Sequence, residues 1–157
     1  MIEFVKATLS DISSMQKLVV DEVKDGIILQ RSNNEVATNI RSYVLAKEDN
    51  QILGYTALHI YSDKIAEIRS LIVSSSHRGR DIGRGLVLFA IEEAKELRVT
   101  QEILVLTYLP LFFEKMNFVE IDKESISEHK IWTDCIKCVH FPICNEVALI
   151  YKLNGAL

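Results

Sequence analysis

The chain reads as one α/β domain of six to seven strands and about four helices, and three observations lead there. Leu71-Ile72-Val73-Ser74-Ser75-Ser76-His77-Arg78-Gly79-Arg80-Asp81-Ile82-Gly83-Arg84-Gly85 starts as a β-branched apolar run, crosses a polar loop rich in glycine and arginine, and opens an amphipathic helix. Elsewhere, β-rich runs alternate with segments of helical spacing. The composition is that of an ordinary globular protein, 48% hydrophobic and 25% charged over 157 residues, enough for a real core in one domain spanning residues 1–157. Six glycines and two prolines argue against long disordered tracts.

Taken in order, Ile2 to Lys6 is a short strand. Thr8-Leu9-Ser10-Asp11 has the form of a capping box, which satisfies the free N–H groups of a starting helix. Ile12, Met15, Val19 and Val23 then recur at helical spacing, and Gly26 ends the element. A connection over Ile27 to Asn34 leads to a second short helix, Asn34 to Ile40. Tyr43 to Glu48 and Ile52 to Tyr61 are strands joined by the turn Asp49-Asn50-Gln51, and Ala66 to Val73 completes the meander. Ile82 to Arg98 is the strongest helix, with Leu86, Ala90, Ala94 and Leu97 as its apolar stripe and Glu92, Glu93, Lys95 and Glu96 outside. Ile103 to Thr107 is a buried strand, Leu109 to Met116 a short helix, and Phe118 to Ile121 and Glu146 to Lys152 are strands.

A loop opening a helix in this way turns several backbone N–H groups towards one spot, where the helix dipole favours an anion such as pyrophosphate. Glycines keep Cβ atoms away from such a ligand, and Arg78, Arg80 and Arg84 offer bidentate partners to phosphate oxygens. No Gly-Lys-Ser/Thr closes the loop as a Walker motif would, and the glycine spacing and mid-chain position differ from a dinucleotide-binding fingerprint. A solvated basic turn is the bland alternative. The segment resembles the acyl-CoA pyrophosphate loop of the GNAT acetyltransferases, Gln/Arg-x-x-Gly-x-Gly/Ala after a strand ending Leu-x-Val. The preferred register runs from Arg78 to Gly83 and puts Asp81 where that family has glycine; a register from Arg80 to Gly85 lies two residues further from Val73.

The order of elements also resembles that family, which implies the GNAT fold: a mixed central sheet flanked by helices. Phe112-Phe113-Glu114-Lys115-Met116-Asn117-Phe118 is similar to the family's Phe-Tyr-Glu-Lys-x-Gly-Phe, whose tyrosine often protonates the leaving thiolate; here that position is Phe113, which has no proton to give. Three further segments resemble the short bacterial N-acetylglutamate synthases: Ile27-Ile28-Leu29-Gln30-Arg31-Ser32, Ala57-Leu58-His59-Ile60-Tyr61, and Ala66-Glu67-Ile68-Arg69-Ser70-Leu71. The stretch from Trp132-Thr133-Asp134-Cys135 through Phe141-Pro142 to Cys144-Asn145-Glu146 is similar to a C-terminal feature of some of them. The resemblance implies acetyl-CoA as co-substrate, held at Leu71, Ile72, Val73, Arg78, Gly79, Arg80, Ile82, Gly83 and Arg84. It also implies an amino-acid acceptor, most of all L-glutamate, and so a place at the start of arginine synthesis.

Acetyl transfer from a thioester to an amine requires a deprotonated amine, a held carbonyl and a stabilised thiolate. A thiol with a pKa near ~8.5 leaves readily enough that positioning and one base suffice. In an unbroken strand, period two places Glu67 and Arg69 on one face with Leu71 and Val73. A charged pair there is costly unless it is used or paired. Glu67 is therefore the expected general base, acting through a water, with N–H groups near Ile72 polarising the carbonyl. A structural Glu67–Arg69 ion pair is the competing reading. Arg69 and Arg31, with Ser32 beside it, are the expected acceptor-binding residues, because guanidinium grips carboxylate bidentately. Tyr108, following the buried strand, stands in for the missing acid, although a tyrosine at a strand end is often only packing. His59 either lines the acceptor pocket or is a satisfied sheet histidine.

Cys135-x-x-Cys138 and Cys144, with His129 and His140 nearby, lack the second Cys-x-x-Cys of a strong metal site, so no metal is expected. Three cysteines, an odd number, do not make a disulfide framework. The N-terminus carries no signal-like segment and no apolar run spans a membrane, so a cytoplasmic protein is expected. A net charge of −4 gives no general attraction for nucleic acid. The partner is then a small-molecule substrate, and a homodimer is left open. Two other functions stay in play: acetylation of a different small or protein amine, and a non-catalytic acyl-CoA-binding module suggested by Asp81 and Phe113.

Overall fold

A computed structural model describes residues 1–26, 30–126 and 146–153. Its strands are β1 (Glu3–Lys6), β2 (Tyr43–Glu48), β3 (Gln51–Ile60), β4 (Ile65–Val73), β5 (Glu102–Thr107), β6 (Val119–Ile121) and β7 (Val147–Lys152). They form one seven-stranded sheet in the order β1-β2-β3-β4-β5-β7-β6. Among the described residues, only β4 and β5 pair in parallel; the other neighbours are antiparallel, so the sheet is mixed, as the family resemblance implies.

The helices are α1 (Ile12–Leu18), α2 (Val20–Lys24), α3 (Asn33–Thr38), α4 (Ile82–Glu96) and α5 (Pro110–Glu114). The single helix expected from Ile12 onward is interrupted at Val19, which stays buried. The capping box before it is present, at the start of a 3-10 turn. The Asp11 carboxylate accepts from the Thr8 N–H at 2.8 Å and from the Thr8 hydroxyl at 3.1 Å, and a 3-10 turn leads into α1. The β2–β3 turn is tighter than expected. Asp49 (φ 52) and Asn50 (φ 67) alone make the bend, and Gln51 already pairs with Glu48; two left-handed residues suit the twist of a hairpin.

Helices cover both faces of the sheet. On one, α1 and α3 bring Met15 and Val36, with Val19 between α1 and α2, onto Tyr43, Leu45, Tyr55, Ala57 and Ile72. On the other, α4 lays Ile82, Leu86, Val87, Ala90, Ile91 and Ala94 over Leu58, Ala66, Ile68 and their neighbours, with Phe113 of α5 completing the layer. Each larger aliphatic or phenylalanine side chain among them contributes about 1.5–3 kcal/mol on burial. The expected stripe fails at its end. Leu97 is 59% exposed because α4 stops at Glu96 and the chain turns away, and Val99 takes the buried position instead. Glu93, expected outside, is half-buried and accepts from the Lys6 ammonium at 2.7 Å.

One departure matters for the site. Ser70 has φ 60, and the β3–β4 register slips there: Ala57 faces Arg69, but Tyr55 faces Ile72. This bulge puts one extra residue in β4, and period two resets across it. Glu67 and Arg69 therefore share their face with Ile72, not with Leu71 and Val73 as an unbroken strand would require. Leu71 and Val73 pack on the α4 side. Buried Thr56 fills the irregularity by donating its hydroxyl to the Arg69 carbonyl at 3.1 Å.

Candidate active site

The parallel pairing of β4 with β5 runs only from Ile65–Glu102 to Ile68–Val105. Beyond it β4 continues through the bulge to Val73, while β5 stays with β7 as far as Thr107. Two strands that stop pairing leave a notch in the sheet, and its edges carry residues that the sequence marks as candidates. Tyr108, 37% exposed, follows β5 on one side, and Arg69 to Val73 lie on the other.

Glu67 is the most buried charged residue described, at 1% exposure. A carboxylate taken out of water is costly unless it is hydrogen-bonded. The Tyr61 hydroxyl donates to its Oε1 at 2.7 Å, and Arg69 Nε lies 4.0 Å from the same oxygen. His59 is the cross-strand partner of Glu67, and its ring packs edge-on against Tyr61 with centroids 4.6 Å apart. The Glu67–Arg69 pair foreseen as a structural alternative is thus present, but long. Tyr61 is the contact the sequence reading missed. Its signal was the same period two that groups residues 57, 59 and 61 on one face.

Arg31 and Arg69 come from distant parts of the chain to one neighbourhood, where both bear electrostatically on Tyr43. Burial pushes the Tyr43 phenol above its ordinary value, and the two guanidinium charges oppose that only partly. Arg31 is held by its main chain. The Gln16 side chain of α1 donates to the Arg31 carbonyl at 2.9 Å and to Asn33 Oδ1 at 3.1 Å. Ser32, expected to touch the acceptor, is the N-cap of α3: its hydroxyl accepts from the Glu35 N–H at 3.1 Å, and Glu35 Oε1 accepts from the Ser32 N–H at 3.0 Å. Such a box explains an Arg-Ser pair opening a helix without a ligand. Ile27 to Leu29 of that segment lie outside the described residues.

The loop between β4 and α4 has the geometry of an anion cradle. The first helical bond runs from the Gly85 N–H to the Asp81 carbonyl at 3.0 Å, so the N–H groups of Ile82, Gly83 and Arg84 precede the helical ladder. Gly79 has φ 85, and a Cβ there would meet nothing within 4 Å. Asp81 is the N-cap of α4 at φ 60, a left-handed position that glycine fills without cost and aspartate better than most residues. Asn117, where the second motif has glycine, is likewise left-handed at φ 72. Gly85 has a different task. A Cβ on it would fall within 3 Å of the Phe4 ring, so the missing side chain makes room for β1. Arg78 and Arg84 are exposed, whereas Arg80 binds Glu48 at 3.1 Å and holds that carboxyl below its usual value. Phe113 lies in the core, in edge contact with Phe112 and Phe118.

Cys135, Cys138, Cys144, His129 and His140 lie outside the described residues. Among the described residues, no group of three or more His, Cys, Asp or Glu side chains is placed to hold a metal, and no helix is long and apolar enough to cross a membrane.

Residues 9–118 match the acetyltransferase (GNAT) family. The chain is 37% identical over 147 residues to an uncharacterized N-acetyltransferase of Chlorobaculum tepidum, covering 94% of both chains. It is 23% identical over 122 residues to the amino-acid acetyltransferase of Vibrio cholerae, covering 77% of this chain but only 27% of that protein. Among solved structures, it superposes on the N-acetylglutamate synthase of Neisseria gonorrhoeae complexed with coenzyme A and N-acetyl-glutamate. The TM-score is 0.86 at 19% identity, over 98% of this chain and 35% of that one.

Proposed function

This chain belongs to the GNAT acetyltransferase family, and from that premise we propose that it acetylates the α-amino group of an amino acid, L-glutamate first, with acetyl-CoA as donor. The observation that carries the reading is Glu67: a fully buried carboxylate, hydrogen-bonded in place, on the sheet face that also holds Arg69. The similarity to amino-acid acetyltransferases and to a synthase crystallised with N-acetyl-glutamate supports that acceptor.

The residues at the loop fit a pyrophosphate. Three helix-start N–H groups, the open side of Gly79 and the guanidinium groups of Arg78 and Arg84 would hold it, while Asp81 weakens the grip by its charge. When bound, the cofactor supplies a thioester carbonyl open to attack. Backbone N–H groups of the bulged end of β4 polarise that carbonyl. Glu67, directly or through a water, takes the proton that the amine sheds as its nitrogen bonds to the carbonyl carbon and the carbon–sulfur bond breaks. Tyr108 is the candidate donor to the departing thiolate, in place of Phe113. Arg31 and Arg69 hold the acceptor's two carboxylates, and both charges bear on the buried Tyr43.

Three variants test this with glutamate as acceptor. Glu67→Gln should lower kcat by about 10²–10⁴-fold with coenzyme A binding intact. Arg31→Ala and Arg69→Ala should act mainly on the KM for glutamate. Full turnover in Glu67→Gln would leave Glu67 as a structural ion-pair partner and end the proposal.

A further inference from the structure

We infer that Tyr61 is a positioning residue for the general base: its hydroxyl fixes the Glu67 carboxylate in the orientation from which it takes the acceptor's proton. The inference rests on the reading of Glu67 as that base.

The geometry gives Tyr61 little freedom. It follows the last residue of β3, its N–H donates to the Ile65 carbonyl at 3.0 Å, and the Ser62 N–H donates to the same carbonyl at 3.2 Å. Ser62 Oγ in turn accepts from the N–H groups of Lys64 at 3.1 Å and Ile65 at 3.3 Å. The hairpin is tied from below as well. The Asp63 carbonyl accepts from the Thr100 N–H at 2.9 Å, and the Lys64 carbonyl accepts from those of Gln101 and Glu102 at 2.9 and 3.1 Å. His59 sets the ring plane by an edge contact at 77°. A rigid hairpin and a packed ring thus deliver one hydroxyl to one oxygen of a buried acid at 2.7 Å.

Tyr61 and Arg69 both approach Oε1, and they differ in what else they do. Arg69 is 4.0 Å away and carries the charge assigned to the acceptor's carboxylate. The Tyr61 hydroxyl is neutral and is not drawn to the acceptor's carboxylates as a guanidinium is, so its bond to Glu67 persists when the acceptor arrives. A base on a flexible carboxylate loses rate through misplacement by as little as an ångström, and such a bond prevents it.

The test is a double-mutant cycle on the full chain, with kcat and both KM values measured for glutamate and acetyl-CoA. Tyr61→Phe keeps the ring and its contact with His59 and removes only the hydroxyl. It should lower kcat by about 10- to 100-fold, the equivalent of one charge-assisted hydrogen bond, with the KM for acetyl-CoA unchanged and the protein still folded at the assay temperature. In a Glu67→Gln background the same change should cost nothing further, because the two residues act as a unit. An undiminished kcat in Tyr61→Phe, or an equal loss in both backgrounds, would overturn the inference while Glu67 remains the base. Full activity in Glu67→Gln alone would instead overturn the base assignment, and the role of Tyr61 with it.

Discussion

Gly85→Ala separates a glycine that serves the fold from one that serves a phosphate. Gly85 lies in the first turn of α4, and a Cβ built on it would stand 2.8 and 2.9 Å from the Phe4 Cε atoms, with Cζ nearer still. Carbon atoms rest at about 3.5–4.0 Å, so the ring must retreat by roughly 1.3–1.8 Å. It has little room to do so. Phe4 pairs with Ala46 in the sheet and packs with Val44, Leu53, Ile82 and Leu86. Overpacking of this kind costs about 1–3 kcal/mol, and alanine returns about 0.5–1 kcal/mol in a helix interior, which leaves a net loss of up to about 2.5 kcal/mol. For a domain of this size each kcal/mol moves Tm by about 2–4 °C, so a fall of up to about 10 °C is expected in thermal unfolding. Coenzyme A affinity, measured by calorimetry on the folded variant, should not change. A rise in Tm would show that Phe4 does not occupy the space. Lost affinity at unchanged Tm would place Gly85 against the ligand and move the cradle two residues along the chain.

Three further outcomes follow from the same contacts. Asp81→Gly should preserve the left-handed N-cap, raise stability by about 1 kcal/mol and tighten coenzyme A binding several-fold by removing an acid from the cradle; calorimetry that shows weaker binding would mean that the carboxylate serves the ligand. Gln16→Leu removes the anchor of the Arg31 carbonyl and should raise the KM for the acceptor about 2- to 10-fold while sparing that for acetyl-CoA. At Asp11, burial pushes the carboxyl up, but the Thr8 N–H and the Lys47 ammonium outweigh it and the net value falls below 3.8. Its contribution is therefore complete above the unfolded value and fades as pH falls through the lower folded one. Lys47→Met should cost up to about 1 kcal/mol in urea unfolding at neutral pH, and the difference from the parent should vanish well below that value.

Most of the fold was legible because its signals are local. The strand–loop–helix at Leu71–Gly85, the hairpin turn after Glu48 and the β-rich runs each report their own backbone. Asp81 and Asn117 show why letters alone mislead: both replace glycine, yet both hold the left-handed conformation that the position demands. The errors arose where tertiary structure overrides period. The bulge at Ser70 moved Leu71 and Val73 to the opposite face from Glu67, and no residue type forecasts a serine at positive φ. Leu97 followed a helical stripe that the chain abandons at Glu96. The Tyr61–Glu67 bond and the Gln16–Arg31 anchor join residues from different elements, so spacing could only hint at the first and not at the second. Ser32, expected to touch the acceptor, also serves as the N-cap of α3, a local task that a resemblance in letters does not reveal.

The central claim is transfer of acetyl from acetyl-CoA to an acidic α-amino acid, and free-thiol release under one fixed acetyl-CoA concentration tests it most directly. Glutamate, glutamine, aspartate, leucine, lysine and a short peptide would be compared as acceptors by kcat/KM. Two guanidinium groups meeting two carboxylates predict glutamate in the lead and a steep drop for leucine, since a missing carboxylate leaves an arginine unpaired. Lysine or the peptide outpacing glutamate would contradict the claim.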